Sequence, residues 1–240
     1  KPRKYHGPIP KRYFTFSVGF FGGADNDEMW SFLERQVDEV LRKEATTDDF
    51  GAAPSVTLAY SAKLHPQFAV RVQGGLTILT SQSRGLMIPQ AEPDSTGQLP
   101  LLEFDRDFDV LLMGVDATGF YYFQDASVKN FQSYLGGGFS LFFPRSEFKQ
   151  SLTDKDTMEG YPPGRGTTSQ TDWSVSPGVH AVLGFLYHFK TTLAFNGEGR
   201  IQIAQSKFKL DYETENGIQP LTFDVDYTGF SFTVGISKFF

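Results

Sequence analysis

The sequence contains no cysteine, which excludes disulfides, thiolate metal sites and a cysteine nucleophile. It has only four methionines and two tryptophans, against 25 phenylalanines and 24 glycines, a bias that favours tightly packed sheets and turns. The net charge of −6 argues against a general nucleic-acid binder. No run approaches the ~18 apolar residues of a membrane helix, although a closed barrel of strands can also span a membrane.

An alternation of apolar residues with small or polar ones fills most of the chain. In YTGFSFTVGISKFF (227–240), one face carries Phe230, Phe232, Val234 and Ile236, and the other carries Gly229, Ser231, Thr233 and Gly235. The same period of two occurs in eight segments: 12–21, 54–64, 67–78, 108–123, 132–143, 173–189, 191–208 and 227–240. This period predicts an all-β chain of eight strands.

The connections between these segments alternate in length. Those at 65–67, 124–130 and 188–191 are short. Those near 24–50, 82–104, 144–172 and 211–224 are long loops or extended hairpins. Eight antiparallel strands with both termini on the short side have this asymmetry, which is typical of transmembrane barrels. We therefore divide the chain into a basic, proline-containing periplasmic segment (1–12) and an antiparallel transmembrane β-barrel (13–240).

The direction in which the large residues point decides between a soluble barrel and a membrane barrel. Periodicity alone allows both, because a soluble barrel would expose charges such as Arg71 and Glu198. The interior of an eight-stranded barrel is narrow, and the many large apolar side chains would overfill it. Glycine, serine, threonine and a few long polar chains would fit. The apolar face is therefore predicted to contact lipid. An inward glycine such as Gly138 is expected to accept a serine with a mild effect unless the space around it is full.

In these features, including YLGGGFSLFF (134–143) and the aromatic C-terminus, the chain resembles the small outer-membrane β-barrel superfamily of the OmpA, OmpX and OmpW type. The resemblance implies the outer membrane of a diderm bacterium, a signal peptide already removed, and outer-membrane lipid and the barrel-assembly machinery as partners. It also implies an assembly signal at the C-terminus. Thr233, Gly235 and Phe240 match that signal, whereas Lys238 stands where a hydrophobic residue is usual.

Six ionisable residues share the inward phase. They are Lys63, Arg71, Asp116, His180, Glu198 and Arg200. Lone buried charges are costly, so we expect at least one charge pair across the lumen, with Arg71 and Asp116 as neighbours. Such a network would plug the barrel. A polar conduit or a ligand site remain alternatives.

The first long connection contains a helical pattern. DNDEMWSFLERQVDEVLRKE (25–44) places Trp30, Leu33, Val37 and Leu41 at helical spacing, with acidic residues at the start. This pattern predicts an amphipathic helix in the first extracellular loop. The helix either caps its own barrel rim or presents these four residues to a protein partner, as the N-terminal segment could also do.

Three functions are compatible with the sequence. The first is a structural or interaction barrel, either alone or as a subunit of a larger envelope complex. The second is an OmpW-like conduit for small or hydrophobic solutes. The third is a lipid-modifying enzyme, in which Ser174 or Ser176 would need His180 as a base on the lipid face. Because His180 carries the inward phase and the histidines form no cluster, we expect no enzyme, no cofactor and no metal.

Overall fold

The computed structural model describes residues 11–38, 42–87, 102–124, 130–154, 165–214 and 217–240. In these ranges the chain forms eleven strands and one helix. In chain order they are β1 (Arg12–Gly22), α1 (Asp27–Asp38), β2 (Arg42–Asp48), β3 (Ala53–His65), β4 (Phe68–Met87), β5 (Leu102–Tyr122), β6 (Phe131–Asp154), β7 (Arg165–Trp173), β8 (Ser176–Lys190), β9 (Leu193–Thr214), β10 (Gly217–Asp226) and β11 (Gly229–Phe239). Most of the basic N-terminal segment, residues 1–10, lies outside the described residues.

Eight of the strands form a closed antiparallel ring in the order β1-β3-β4-β5-β6-β8-β9-β11. The ring closes where β11 pairs with β1, from Tyr13 opposite Phe239 to Gly22 opposite Phe230. Closure leaves no free edge at membrane depth, which the bilayer requires because it offers the backbone no water. The predicted eight-stranded barrel is confirmed.

The large side chains point outward, as their bulk predicted. Leu183, Phe139 and Ile201 are more than 60% exposed, whereas Thr118 and Ser140 on the opposite face are buried. On β4 the apolar outward positions run from Phe68 to Ile78, which is about 33 Å along the strand and about 23 Å across the bilayer at a ~45° tilt. This height suits the hydrocarbon layer. Within the described ranges, no helical stretch has the length and apolar character needed to cross a bilayer.

Three of the long connections are largely extended hairpins. β4 continues to Met87 and pairs with β5 from Leu102, β6 continues to Asp154, and β9 continues to Thr214. The additional strands β2, β7 and β10 pair with the upper parts of β4, β6 and β9, respectively. By the loop asymmetry this is the extracellular end, so the barrel continues well above the membrane as a folded sheet.

The extracellular extension has its own hydrophobic core, which we call the upper cluster. It contains seven buried phenylalanines: Phe21, Phe50, Phe108, Phe142, Phe148, Phe208 and Phe223. Phe108 contacts the rings of Phe50, Phe208 and Phe223 at centroid distances of 5.7–6.3 Å. The inward face of these strands is thus filled with aromatic groups at this end.

The predicted helix is confirmed, and it lies in the mouth of the extension. The backbone carbonyl of Asn26 accepts the amide of Trp30, and the carboxylate of Asp25 accepts the amide of Asp27. Repulsion from Asp25 raises the pKa of the Asp27 carboxyl. Helix α1 then buries Met29, Trp30 and Leu33 in the upper cluster.

Two polar contacts hold α1 in place. The indole of Trp30 donates to Ser81 Oγ on β4 at 2.7 Å, and the carboxylate of Glu28 accepts the amide of Asp224 on β10 at 2.8 Å. The second contact satisfies a backbone donor at the edge of β10. The helix therefore packs against β10 and β2, reaches β4 through Trp30, and covers one side of the upper cluster.

The expectation that Gly138 would accept a serine is wrong. Gly138 faces the lumen opposite His180, but a Cβ at this position would overlap the backbone carbonyl of Ala117 on β5. Gly235 has the same constraint against the carbonyl of Phe16. These glycines allow close approach of neighbouring strands, so the limit comes from the barrel wall and not from space in the lumen.

Candidate functional site: the barrel lumen

Two buried ion pairs span the lumen at membrane depth. The guanidinium of Arg71 on β4 donates to both carboxylate oxygens of Glu198 on β9, at 2.7 Å each. That of Arg200, also on β9, donates to both oxygens of Asp116 on β5. All four side chains are less than 10% exposed. β9 thus supplies one charge of each sign, two residues apart on its inward face.

Each arginine–carboxylate pair has a further hydrogen bond to a hydroxyl group. The phenol of Tyr134 donates to Glu198 at 2.8 Å, and Arg200 also donates to Ser140 Oγ at 2.8 Å. The ring of Phe120 packs under the guanidinium of Arg71, 4.5 Å from its centroid. Bidentate geometry with additional hydrogen bonds is what offsets the desolvation of buried charges.

The pairing differs in detail from the sequence expectation. Arg71 and Asp116 do lie on adjacent strands, but Arg71 stands opposite Thr118, and Asp116 stands opposite Gln73. Each of them is paired with β9 across the lumen. The four charges therefore form two separate Arg–carboxylate pairs.

His180 lies inside the barrel beside the second pair. Its ring nitrogens are hydrogen-bonded to Ser140 Oγ at 2.8 Å and Thr118 Oγ1 at 2.9 Å. Ser176, which sequence reasoning considered as a nucleophile, instead donates to the carbonyl of Gln205. No lipid acyl chain in the bilayer reaches this histidine, which is 6% exposed.

Lys63 belongs to a different layer, at the periplasmic end. Its ammonium group donates to Gln132 Oε1 at 3.1 Å and lies 4.8 Å from the ring centroid of Tyr122. His188 contacts the same Gln132 oxygen at 3.1 Å. Sequence analysis did not single out Gln132 or His188, although the inward phase of β6 includes Gln132.

A periplasmic cluster of buried apolar residues surrounds these groups. It contains Tyr13, Ala69, Phe120, Tyr122, Tyr134, Val182, Leu186, Ala194 and Phe239. The phenols of Tyr13 and Tyr122 share a hydrogen bond of 2.6 Å, and Tyr13 stacks on Phe239 at 4.6 Å. This cluster blocks the lumen below the ion pairs.

The lumen contains a cavity above the ion-pair layer. A cavity of about 50 Å³, room for a few water molecules, lies between the ion pairs and the upper cluster. Gln73, Thr77, Asp116, Arg200 and Gln202 contribute to its lining. The lumen is therefore filled at three levels: the periplasmic cluster, the ion-pair layer, and the upper cluster with α1.

Two of the four helix residues that were predicted as a partner surface are buried in the protein itself. Trp30 and Leu33 are 3% and 0% exposed, so the interpretation that they face a partner is wrong. The side chain of Val37 and the whole of Leu41 lie outside the described part of the chain. Of the two interpretations of the helix, its described contacts favour the cap on its own barrel.

The residues of the predicted assembly signal lie on β11 and at the C-terminus. Thr233 faces inward, and Gly235 lies against the backbone of β1. Phe240 is about half exposed and stacks on Phe14 with ring centroids 5.5 Å apart. Recognition of this segment by an assembly machinery stays a prediction.

The outer wall has an apolar groove at the extracellular boundary of the membrane. Met113, Phe143, Trp173, Ser174 and Val175 line its volume of about 420 Å³. A second groove of about 740 Å³ runs over β8, β9 and β11, where Gly197 and Gly199 leave the outward face of β9 without side chains. Both grooves open to the lipid side.

No family model matches the sequence, and no curated protein matches it. Among solved structures, the chain is similar to the outer membrane protein OprG from Pseudomonas aeruginosa, with a TM-score of 0.56 and 12% identity over 96% of this chain and 95% of that one. It also matches Neisserial surface protein A (TM-score 0.42, 12% identity, 95% and 97% covered) and AlkL solved in DMPC bilayers (TM-score 0.42, 16% identity, 100% and 95% covered). At this identity the likeness concerns architecture alone, and the chain has the fold of a small outer-membrane β-barrel protein such as OprG.

Proposed function

We propose that this protein is a non-conducting barrel of the bacterial outer membrane with a structural or interaction role, whose extracellular sheet is its working surface. The observation that carries this proposal is the filled lumen. Ions and solutes would have to displace two apolar clusters and the ion-pair layer between them. Membership of a larger envelope complex would fit the same architecture.

The ion pairs make rearrangement of the lumen costly. Separating a buried Arg–carboxylate pair leaves both charges poorly solvated, at about 3–5 kcal/mol for removal of one partner. Arg71–Glu198 and Arg200–Asp116 lie at adjacent heights on β9, so a conducting path would have to disturb both. Their charges also compensate each other, so the four side chains carry no net charge that would attract one sign of ion.

The extracellular sheet offers a large polar surface. On β6 alone, ten residues from Arg145 to Asp154 project beyond the apolar band, about 23 Å above the membrane at a ~45° tilt. The outward positions of β5 there are Glu103, Asp105, Asp107 and Asp109. Such a rigid acidic face suits recognition of a partner with basic groups.

An OmpW-like conduit is the second candidate, and the apolar grooves on the outer wall favour it. A conduit that released solutes sideways would need an opening between lumen and bilayer. In the described ranges, however, the ladder between β8 and β9 runs from Gly178–Ala204 to Lys190–Leu193, and that between β9 and β11 runs from Gln202–Gly229 to Leu193–Lys238. The grooves therefore lie on a closed wall, which supports the sealed barrel.

Planar-bilayer conductance tests the proposal. We expect the wild-type protein to be silent, and Asp116→Ala to produce brief openings because it disrupts the ion-pair layer. Asp105→Ala is the matched control, since it breaks an Arg–Asp pair (Arg84–Asp105, 3.1 Å) on the exposed extracellular sheet. Steady conductance of the wild-type protein would reject the sealed barrel and favour the conduit.

A further inference from the structure

The apolar groove of about 740 Å³ over β8, β9 and β11 lies in the middle of the apolar band. The outward apolar positions of β9 run from Phe195 to Ile203, and the groove interrupts them between these two residues. A Cβ at Gly197 would lie 2.6 Å from the ring of Phe185, which leans over this position. A Cβ at Gly199 would meet no heavy atom closer than 3.9 Å. The open part of the groove is therefore centred on Gly199.

A ridge of two phenylalanines borders the groove on β11. Phe232 stands directly opposite Gly199 in the ladder between β11 and β9. Phe230 follows on the same face, opposite Ile201. Both rings are about half exposed on the lipid side, and each packs against Phe20 of β1 with ring centroids 6.2 Å apart. The wall thus carries a supported aromatic knob beside an open hole.

This arrangement matches the symmetry of a pair of barrels. Two copies inserted in the same direction form a closed pair about a two-fold axis along the membrane normal, which keeps every residue at its own height. An axis between β9 and β11 places Phe232 of each copy against Gly199 of the other. Strands about 4.8 Å apart at a ~45° tilt separate the two residues by about 3 Å in height, which the length of a phenyl ring covers.

From this geometry we infer that the protein forms a two-fold symmetric dimer in the membrane, with Phe232 of each copy packed into the groove at Gly199 of the other. Association inside a bilayer depends on close packing, because lipid tails are as apolar as the side chains that they replace. A ring held by Phe20 fills a fixed groove with less loss of freedom than a flexible acyl chain. The interface lies wholly on the outer wall, so it does not depend on whether the lumen conducts.

The absence of cysteine gives a clean background for labelling. A cysteine in place of Ser169, an exposed residue of β7 above the membrane, carries one fluorophore per chain. We would reconstitute the full chain in phosphatidylcholine vesicles over a series of protein-to-lipid ratios and measure energy transfer between donor-labelled and acceptor-labelled copies. The mobility difference between unheated and boiled samples on a detergent gel shows that each variant is folded.

We expect specific energy transfer in the wild-type protein, and Gly199→Leu should lower the association constant about ten-fold or more, because symmetry fills both holes at once. Gly74→Leu is the matched control. Gly74 is an exposed glycine of β4, four strands away in the ring, and a Cβ there would meet no heavy atom closer than 4.0 Å. Phe232→Ala should also weaken association, whereas Phe139→Ala, on β6 outside the groove, should leave it unchanged.

Two results would overturn the inference. Wild-type protein that shows only the transfer of random collisions at every ratio would leave acyl chains as the occupant of the groove. Equal association constants for Gly199→Leu and Gly74→Leu would place any contact between copies on another face of the barrel.

Discussion

Replacing Asp116 by alanine tests the ion-pair layer most directly. In the folded protein Arg200 donates two hydrogen bonds to this carboxylate, and both side chains are less than 10% exposed. The substitution leaves the guanidinium with Ser140 as a remaining hydrogen-bond acceptor. An uncompensated buried charge of this kind costs about 3–5 kcal/mol. We therefore expect the free energy of unfolding to fall by roughly that amount.

A control on the same strand, β5, separates burial from charge. Asp105→Ala removes the partner of Arg84 on β4, in a pair whose side chains are 44% and 61% exposed. Exposed pairs contribute about 0–1 kcal/mol. The difference between the two substitutions should thus be at least ~2 kcal/mol. Urea unfolding in detergent micelles, followed by circular dichroism and by the fraction that keeps unheated mobility on a gel, measures it.

A double-mutant cycle then assigns the effect to the pair. Removing Arg200 as well eliminates the stranded charge, so Asp116→Ala with Arg200→Ala should cost clearly less than the sum of the single substitutions. Asp116→Ala with Arg71→Ala should be closer to additive, because these residues belong to different pairs. If Asp116→Ala costs no more than Asp105→Ala, or if the first cycle is additive, the reasoning about the sealed lumen is refuted.

Three further substitutions test the wall and the helix. Leu183→Arg places a cation in the hydrocarbon near mid-height and should cost about 2–4 kcal/mol in a lipid refolding titration, whereas normal folding would contradict the outward assignment. Gly138→Ser should cost about 1–3 kcal/mol in the same titration, because its Cβ overlaps the Ala117 carbonyl; a neutral effect would show that the strands can separate. Trp30→Ala should lose about 3–5 kcal/mol from the upper cluster and make the extracellular hairpins sensitive to protease, and unchanged protease resistance would show that α1 does not hold the mouth closed.

The strand count and the facing of the barrel could be predicted because both depend on local information. A period of two identifies strands wherever it occurs, and side-chain volume decides which face fits a narrow interior. The identity of the ion-pair partners could not be predicted in the same way. Arg71 and Asp116 belong to neighbouring strands, but the register sets them opposite Thr118 and Gln73, and register depends on the closure of the whole ring. Arg71 and Asp116 are therefore each paired with a residue of β9 across the lumen, and not with each other.

The polar residues of the extracellular hairpins made their strands difficult to predict from the sequence. LEFDRDFDV (102–110) contains four acidic residues and was divided between a loop and the start of a strand. Its alternation is nevertheless clear, with Phe104, Phe108 and Val110 on one face, interrupted by Arg106, and carboxylates on the other. The structure uses it as the upper part of β5, with the aromatic face inward. The position of α1 depends on this core. The burial of Trp30 and Leu33 against it could therefore not be predicted from the helix sequence alone.

The outward face of β5 contacts lipid in its lower part and water in its upper part. This change explains why the sequence pattern predicted the lower part as a strand and assigned some of the upper part to a loop. Below Leu111 the outward residues are apolar and the inward ones include Gly114, Asp116 and Thr118. Above it the outward residues are acidic, and the inward ones are Phe104, Arg106, Phe108 and Val110. The strand keeps its pairing with β4 and β6 through this change. The surroundings of the outer face change from lipid to water, and the inward face changes from mainly polar to mainly apolar, so the height at which the two faces exchange character marks the membrane boundary.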